Sequence, residues 1–187
     1  MALRNIRYHD DTILRKRAKE VKEIDDKIIQ LLNDMQHTLD DINGLGLAAP
    51  QVGVLKRVVI ISYTGDDGEE DEDIEPIIYE LINPVILEQS GSQQIEEACL
   101  SVAGKKGIVD RPYRVKVSAQ NRAGETYELT GEGLLARALS HEIDHLDGIL
   151  FIDKALQLMD KNQPTPTNTL SKKHGQKIHA RRAKKMR

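Results

Sequence analysis

The stretch LLARALSHEIDHL, residues 134–146, carries most of the information about the fold of this 187-residue chain. Apolar residues cover much of its helical surface, which predicts a buried helix. His141 and His145 are four residues apart, so both imidazoles lie on one face and can reach one metal ion. Glu142 follows the first histidine and is placed to accept a proton from a water that the metal activates. The alternative is a helix with two surface histidines and an ordinary acidic neighbour.

A third metal ligand is needed, because catalytic metal sites usually take three protein ligands and leave one position open. The only cysteine, Cys99, lies in EACLS, residues 97–101, at the end of a strand-like run. A lone buried cysteine is more often an inert small apolar side chain. Beside His141 and His145, however, Cys99 is the one soft ligand available to complete a site.

Residues 44–51, GLGLAAPQ, form a second unusual segment, with no charge and little side-chain bulk. Glycines at alternate positions allow a backbone to approach a ligand or to pack tightly. The segment does not match the pattern of a phosphate-binding loop, because no Lys or Ser/Thr follows at the required spacing. Gln51 ends the segment with an amide that can donate to an oxyanion. On composition alone, a plain tight connection is the simpler interpretation.

The rest of the pattern predicts one α+β domain over residues 1–160. Apolar spacing predicts an amphipathic helix at residues 26–42, and the acidic residues 65–75 read as a solvated loop. The predicted strands are residues 57–63, 77–87, 113–119 and 126–129, with a turn at 121–124. Strands grouped ahead of one site-bearing helix favour antiparallel strands packed around that central helix over alternating β-α units.

Charge is distributed unevenly along the chain. Residues 171–187 hold eight of the 27 Lys and Arg residues and none of the 30 acidic ones, which leaves a net charge of −11 on the remainder. We therefore interpret residues 161–187 as a Pro/Thr linker followed by a basic tail. No secretion signal, disulfide framework or membrane span is evident, and a cytoplasmic protein is the expectation.

Taken together and in order, residues 44–51, 97–101 and 141–145 resemble the three signature motifs of the peptide deformylase family. The resemblance extends from about Ile6 to about Asp153. Two departures stand out. Ala98 occupies a position where the family usually has glycine, and Ala103 replaces a common proline, so both changes bear on substrate affinity more than on the chemistry.

The resemblance implies a metal-dependent hydrolase that removes the formyl group from the N-terminal methionine of new polypeptides. It implies Fe(II) as the ion, although a site with a thiolate also accepts Ni, Co or Zn. Glu142 would be the proton acceptor, and the Gln51 side chain and the Leu100 backbone N–H would stabilise the oxyanion. The implied metal ligands are Cys99, His141 and His145.

The resemblance also implies how a substrate would be held. Leu45 and Gly46 would offer backbone hydrogen bonds to an extended peptide, a form of strand addition. Glu97 and Arg111 would form an ion pair that braces the Cys99 segment. The residues implied to line the methionine pocket are Gly44, Ile95, Leu134, Ala138 and the edge of His141.

Two alternatives to this function remain at this point. A metallopeptidase with the same histidine pair would take its third ligand from a later His or Glu, but no histidine lies between His145 and His174. A catalytically silent peptide-binding module of the same fold would be expected to lack Glu142, Gln51 or a ligand. The expected partners are formylated nascent peptides, with weak ribosome contact through the basic tail, and a merely solvated tail is the alternative.

Overall fold

A computed structural model of the chain describes residues 2–65 and 75–162. Most of the predicted acidic loop, most of the Pro/Thr linker and the whole basic tail therefore lie outside the described residues. Two α-helices and eight strands are formed within them: α1 Asp26–Asp41, β1 Gly46–Ala48, β2 Val58–Tyr63, β3 Ile77–Ser90, β4 Gln93–Cys99, β5 Val102–Arg111, β6 Arg114–Gln120, β7 Thr126–Glu132, α2 Gly133–Leu146 and β8 Ala155–Asp160. In this part of the chain, neither helix combines the length and apolar character that crossing a membrane requires.

The strands form two antiparallel sheets, one with the order β1-β2-β3-β6-β7 and one with the order β4-β5-β8. The α+β prediction with antiparallel strands is confirmed. β1 and β4 each lie at the edge of a sheet, so each has one side of its backbone without a neighbouring strand. These two edges face the site that is described below.

Helix α1 forms where its apolar spacing predicts it. The Asp25 carboxylate caps it by accepting a hydrogen bond from the Ile28 N–H at 3.0 Å. One face of the helix is buried in a cluster with inward residues of β2. Residues 58–63 and 77–90 confirm two predicted strands, the second longer than expected.

Helix α2 packs its apolar face on the five-stranded sheet. Its buried residues share one core cluster with β2, β3 and β6, represented by Val59, Leu81 and Val117. The predicted strand at residues 126–129 is confirmed but continues through Glu132 as β7, and the helix follows directly. Gly131 permits this arrangement, since a Cβ at that position would lie 2.8 Å from Leu135 Cγ.

The sequence pattern missed two strands of the three-stranded sheet, β5 and β8, whereas β4 is the strand-like run that ends at Cys99. β5 carries two glycines and two lysines, so it lacks the alternation of a half-buried strand. β8 has leucines at alternate positions, but it is only six residues long and both leucines are exposed. Gly107 lets the two strands approach closely, because a Cβ there would lie 3.0 Å from the Gln157 carbonyl oxygen. A small core containing Leu14, Val109 and Phe151 holds this sheet to the body.

Candidate metal centre

The three predicted ligands come together although they lie far apart in sequence. Cys99 ends β4, whereas His141 and His145 lie one turn apart on α2. Their ligand atoms all lie within 4.8 Å of one another, and Cys99 Sγ is 3.3 Å from His145 Nε2. An ion bound tetrahedrally by sulfur and nitrogen holds those atoms about 3.5 Å apart. The donor set therefore fits a single ion.

His141 is oriented by a buried carboxylate. Its Nδ1 donates to Glu97 Oε2 at 2.9 Å, so Nε2 is the nitrogen that can bind an ion once it has lost its proton. Arg111 donates two hydrogen bonds to the same carboxylate, from Nε to Oε1 at 2.8 Å and from Nη2 to Oε2 at 3.0 Å. The predicted ion pair between Glu97 and Arg111 is confirmed. The link from Glu97 to His141 is a contact that the sequence analysis did not anticipate.

The charges around the ligands depend on burial and hydrogen bonding. Burial raises the pKa of Glu97, but hydrogen bonds from His141 and Arg111 outweigh it and lower the pKa to about 2. Burial, assisted by His141, lowers the pKa of His145 well below its ordinary value. Burial also lowers the pKa of His141, but hydrogen bonds with Cys99 and Glu97 outweigh it and raise the pKa to about 10. Binding of a cation at His141 is therefore expected to release a proton.

Glu142 is a buried acid beside the ligands. It is 5% exposed, and its Oε2 has no hydrogen-bond partner among the described residues. Burial is the main cause that raises the pKa of Glu142 to about 7, against the opposing charge of His141. The carboxylate lies against β1, where a Cβ on Gly46 would come within 2.7 Å of Oε1. Gly46, one of the two glycines at alternate positions, therefore leaves the space that this carboxylate occupies.

Gln51 reaches the site from the short helix that follows β1. It is 1% exposed, and its Oε1 accepts a hydrogen bond from the Ala48 N–H at 2.8 Å. That bond turns Nε2 towards the ligands, 3.3 Å from Ser101 Oγ and 3.6 Å from Cys99 Sγ. Leu100 occupies the turn after Cys99 and lines the same cleft, and its role as a backbone donor stays a prediction. Ser101 belongs to the same motif as Cys99, but no local pattern predicts its contact with Gln51.

These groups open into a cleft of about 530 Å³ between the edges of β1 and β4. Of the predicted site residues, the cleft is lined by Gly44, Leu45, Gly46, Gln51, Cys99, Leu100, Ala138, His141 and Glu142. Ile95 and Leu134 are not among the residues that line it, and their place in the methionine pocket stays a prediction. Ile95 precedes the part of β4 that borders the cleft, and Leu134 lies one turn before Ala138.

Comparison with known proteins identifies the family. The family model described as polypeptide deformylase matches residues 3–161. The chain belongs to the peptide deformylase family. A peptide deformylase from Caldicellulosiruptor bescii is 50% identical over 163 residues, which cover 87% of this chain and 92% of that protein. One from Acetivibrio thermocellus is 53% identical over 163 residues, covering 87% and 89%.

A solved structure agrees with the sequence relatives. The crystal structure of peptide deformylase from Thermotoga maritima superposes with a TM-score of 0.73 at 37% identity, covering 83% of this chain and 99% of that one. The resemblance drawn from the three motifs is confirmed. The lone cysteine, which composition alone would leave as an inert apolar residue, lies beside the two histidines of the candidate metal centre.

Asp144 links the buried Arg111 to the surface residue Lys154. Arg111 Nη1 donates to Asp144 Oδ2 at 2.6 Å, and Lys154 Nζ donates to Asp144 Oδ1 at 2.7 Å. None of the three motifs predicted these contacts of Asp144. Its position between the two histidines, three residues after His141, was the available signal, because a residue at that spacing shares a helix face with the ligand.

We predict that Arg111→Met lowers the free energy of unfolding by about 3–5 kcal/mol, because it leaves Glu97 buried without its cation. The pKa of Glu97 falls on folding, from 4.5 to about 2. Its stabilising effect is therefore present above about pH 4.5 and is lost as the pH falls towards 2. Urea unfolding at pH 7 measures the difference.

Arg114→Met is the matched control for this measurement. Arg114 pairs with Glu132 at 2.9 Å, but its side chain is 58% exposed, so loss of the pair should cost at most about 1 kcal/mol. Equal destabilisation by the two variants would show that burial of the Glu97 pair has no special weight.

Proposed function

We propose that this chain removes the formyl group from the N-terminal methionine of newly made polypeptides and releases formate. The observation that carries the proposal is the convergence of three ligand atoms within 4.8 Å beside the buried carboxylate of Glu142. Membership in the peptide deformylase family supplies the reaction class. Formate release from a formylated tripeptide tests the proposal.

Cys99, His141 and His145 would hold one divalent ion, and we propose Fe(II). When bound, such an ion polarises the formyl carbonyl and makes water more acidic. The thiolate and the two imidazoles also suit Ni, Co and Zn, so the ion in a given preparation reflects supply as well as preference. Glu97 fixes the ring of His141 through Nδ1, which aligns that ligand before the ion arrives.

Glu142 moves the proton. Its carboxylate takes a proton from the attacking water, whose oxygen forms a bond to the formyl carbon. The carbon–nitrogen bond then breaks, and the same proton passes to the leaving nitrogen to give a free amine and formate. A pKa of about 7 suits both transfers, because a group that titrates near the working pH both accepts and returns a proton readily.

Gln51 and Leu100 would stabilise the charge that grows on the formyl oxygen. The Gln51 amide is held rigid by Ala48 and Ser101 and is buried, so it needs no reorganisation when the oxyanion forms. The Leu100 backbone N–H would act from the turn that follows Cys99. Donors fixed in advance in a site that excludes water act more strongly than mobile donors in solvent.

The substrate would lie extended between the two sheet edges. Leu45 and Gly46 border one wall of the cleft and Ala98 the other, so a peptide strand between them would meet the backbone of both edges. The Leu45 carbonyl already accepts the Ser62 N–H at 2.9 Å, so we propose Gly46 as the residue of this wall that accepts from the peptide. Because backbone groups make these bonds, the side chains beyond methionine are read weakly. Gly44, Ala138 and the edge of His141 are proposed for the methionine pocket, with Ile95 and Leu134 behind them.

We further propose that the enzyme works in the cytoplasm as one domain over residues 1–160, and that the basic tail touches the ribosome. Newly made chains emerge beside RNA phosphate, which would repel a body with a net charge of −11. Eight positive charges in residues 171–187 would offset that repulsion through weak, sequence-independent and salt-dependent binding.

Deletion of residues 171–187 is expected to leave turnover of a short formyl peptide unchanged and to reduce co-sedimentation with ribosomes at low salt. Raising the salt concentration should remove the difference, because counterion release drives such binding. Equal co-sedimentation of the truncated and full-length proteins would show that the tail is only a solvated end.

A further inference from the structure

The edge of β4 offers backbone hydrogen bonds to a substrate only at alternate residues. β4 is an outer strand of its sheet, and it pairs with β5 in the register Glu96 to Ile108 and Ala98 to Lys106. In an antiparallel pair, alternate residues direct their N–H and C=O groups towards the partner strand or away from it. Glu96 and Ala98 are two residues apart, so both direct these groups to the same side.

Arg137 identifies that side. This half-buried residue of α2 donates from Nη1 to the Glu96 carbonyl oxygen at 3.0 Å. Arg137, Glu96 and Ala98 all line the cleft, whereas β5 lies on the other side of β4 in the sheet. The carbonyl that Arg137 contacts therefore faces the open edge, and the backbone groups of Ala98 face that edge too.

The beginning of β4 is fastened to the same helix. Gln93 Nε2 donates to the Gly133 carbonyl at 2.8 Å and to the Pro112 carbonyl at 3.1 Å. On the β4 side, the cleft is lined by residues 96–100 and by no earlier residue of the strand. The accessible edge of β4 thus begins at Glu96, where Arg137 stands.

We propose that Arg137 sets the length of peptide backbone that the enzyme reads. This inference rests on the proposed function. A substrate strand that pairs with Ala98 would next need the Glu96 carbonyl, two residues further along, and Arg137 occupies that acceptor. Pairing therefore ends about two residues beyond the formylmethionine, and the rest of a nascent chain adds no backbone contact.

This limit predicts how the length of a substrate affects kcat/KM. The parent protein should process a formylated tripeptide amide and a formylated pentapeptide amide of the same leading sequence with nearly equal kcat/KM. Amides are needed, because a free terminal carboxylate would be attracted to the Arg137 cation at a different place in each peptide. Formyl-Met-Ala-Ser amide and formyl-Met-Ala-Ser-Ala-Ser amide form the pair.

Arg137→Met keeps the aliphatic stem and removes the donors. The variant should favour the pentapeptide over the tripeptide by about fivefold in kcat/KM, through a lower KM, because one backbone acceptor becomes available. Arg137→Lys keeps a donor and should retain a ratio near one. Arg114→Met, a change in the other sheet at a 58% exposed side chain, should leave the ratio unchanged.

Two results would overturn the inference. One is a parent ratio already above about threefold, which needs no variant, and the other is a ratio for Arg137→Met equal to that of the parent. Absence of formate release from both peptides by the parent protein would instead refute the proposed function, so the two failures are distinguishable.

Discussion

Glu142→Gln is expected to lose nearly all turnover while the protein keeps its fold and its metal. The amide matches the carboxylate in size but takes no proton from water, and removal of a general base costs about 10²–10⁴ in rate. The replacement breaks no hydrogen bond at Oε2, because that atom has no partner among the described residues, so we expect the fold to be retained. Metal content and kcat should be measured on one preparation.

Glu132→Gln is the matched control for the base. It makes the same chemical change at a side chain that is 49% exposed and paired with Arg114, and turnover should stay at the parent value. Activity of Glu142→Gln within about tenfold of the parent, with stoichiometric metal, would remove Glu142 from the mechanism.

Cys99→Ser is expected to weaken metal binding by about a thousandfold. A hydroxyl is a much poorer ligand than a thiolate for Fe, Ni, Co or Zn, and each ligand of a four-coordinate site contributes several kcal/mol of binding free energy. An inert buried cysteine would tolerate the change with the metal retained. Competition with a chelator of known affinity measures the dissociation constants of the two proteins.

A thiol titration gives an independent check on Cys99. It is the only cysteine in the chain, so any reaction with a thiol reagent reports on this residue alone. Loading the parent protein with metal should slow the reaction strongly, and chelation should restore it. Unchanged metal affinity in Cys99→Ser, or a thiol that reacts equally with and without metal, would refute the ligand assignment.

The elements that the sequence predicted are those with a strong local signal. The side chains of α2 are apolar over much of the helical surface, and those of β2 form a continuous strand-forming run. The two histidines are recognisable from their spacing within one helix. The role of Cys99 could be proposed only together with the histidine pair, because its contact with His145 joins residues 46 positions apart. The family resemblance supplied that combination before any contact was visible.

The parts that were missed depend on tertiary contacts. β5 is held by its neighbours on both sides, and Gly107 looks like a breaker until Gln157 of β8 is placed against it. The Glu97 contact with His141 joins residues 44 positions apart. The hydrogen bond from Gln93 of β4 to the Gly133 carbonyl of α2 joins residues 40 positions apart, and no local pattern encodes it.

Formate release by the metal-loaded protein tests the central claim most directly. With formyl-Met-Ala-Ser, we expect formate and free amino termini to appear in equal amounts, to stop after chelation and to resume when the ion is restored. Unformylated Met-Ala-Ser should remain intact under the same conditions. Absence of formate from protein with stoichiometric metal, or cleavage of the unformylated peptide in its place, would contradict the account.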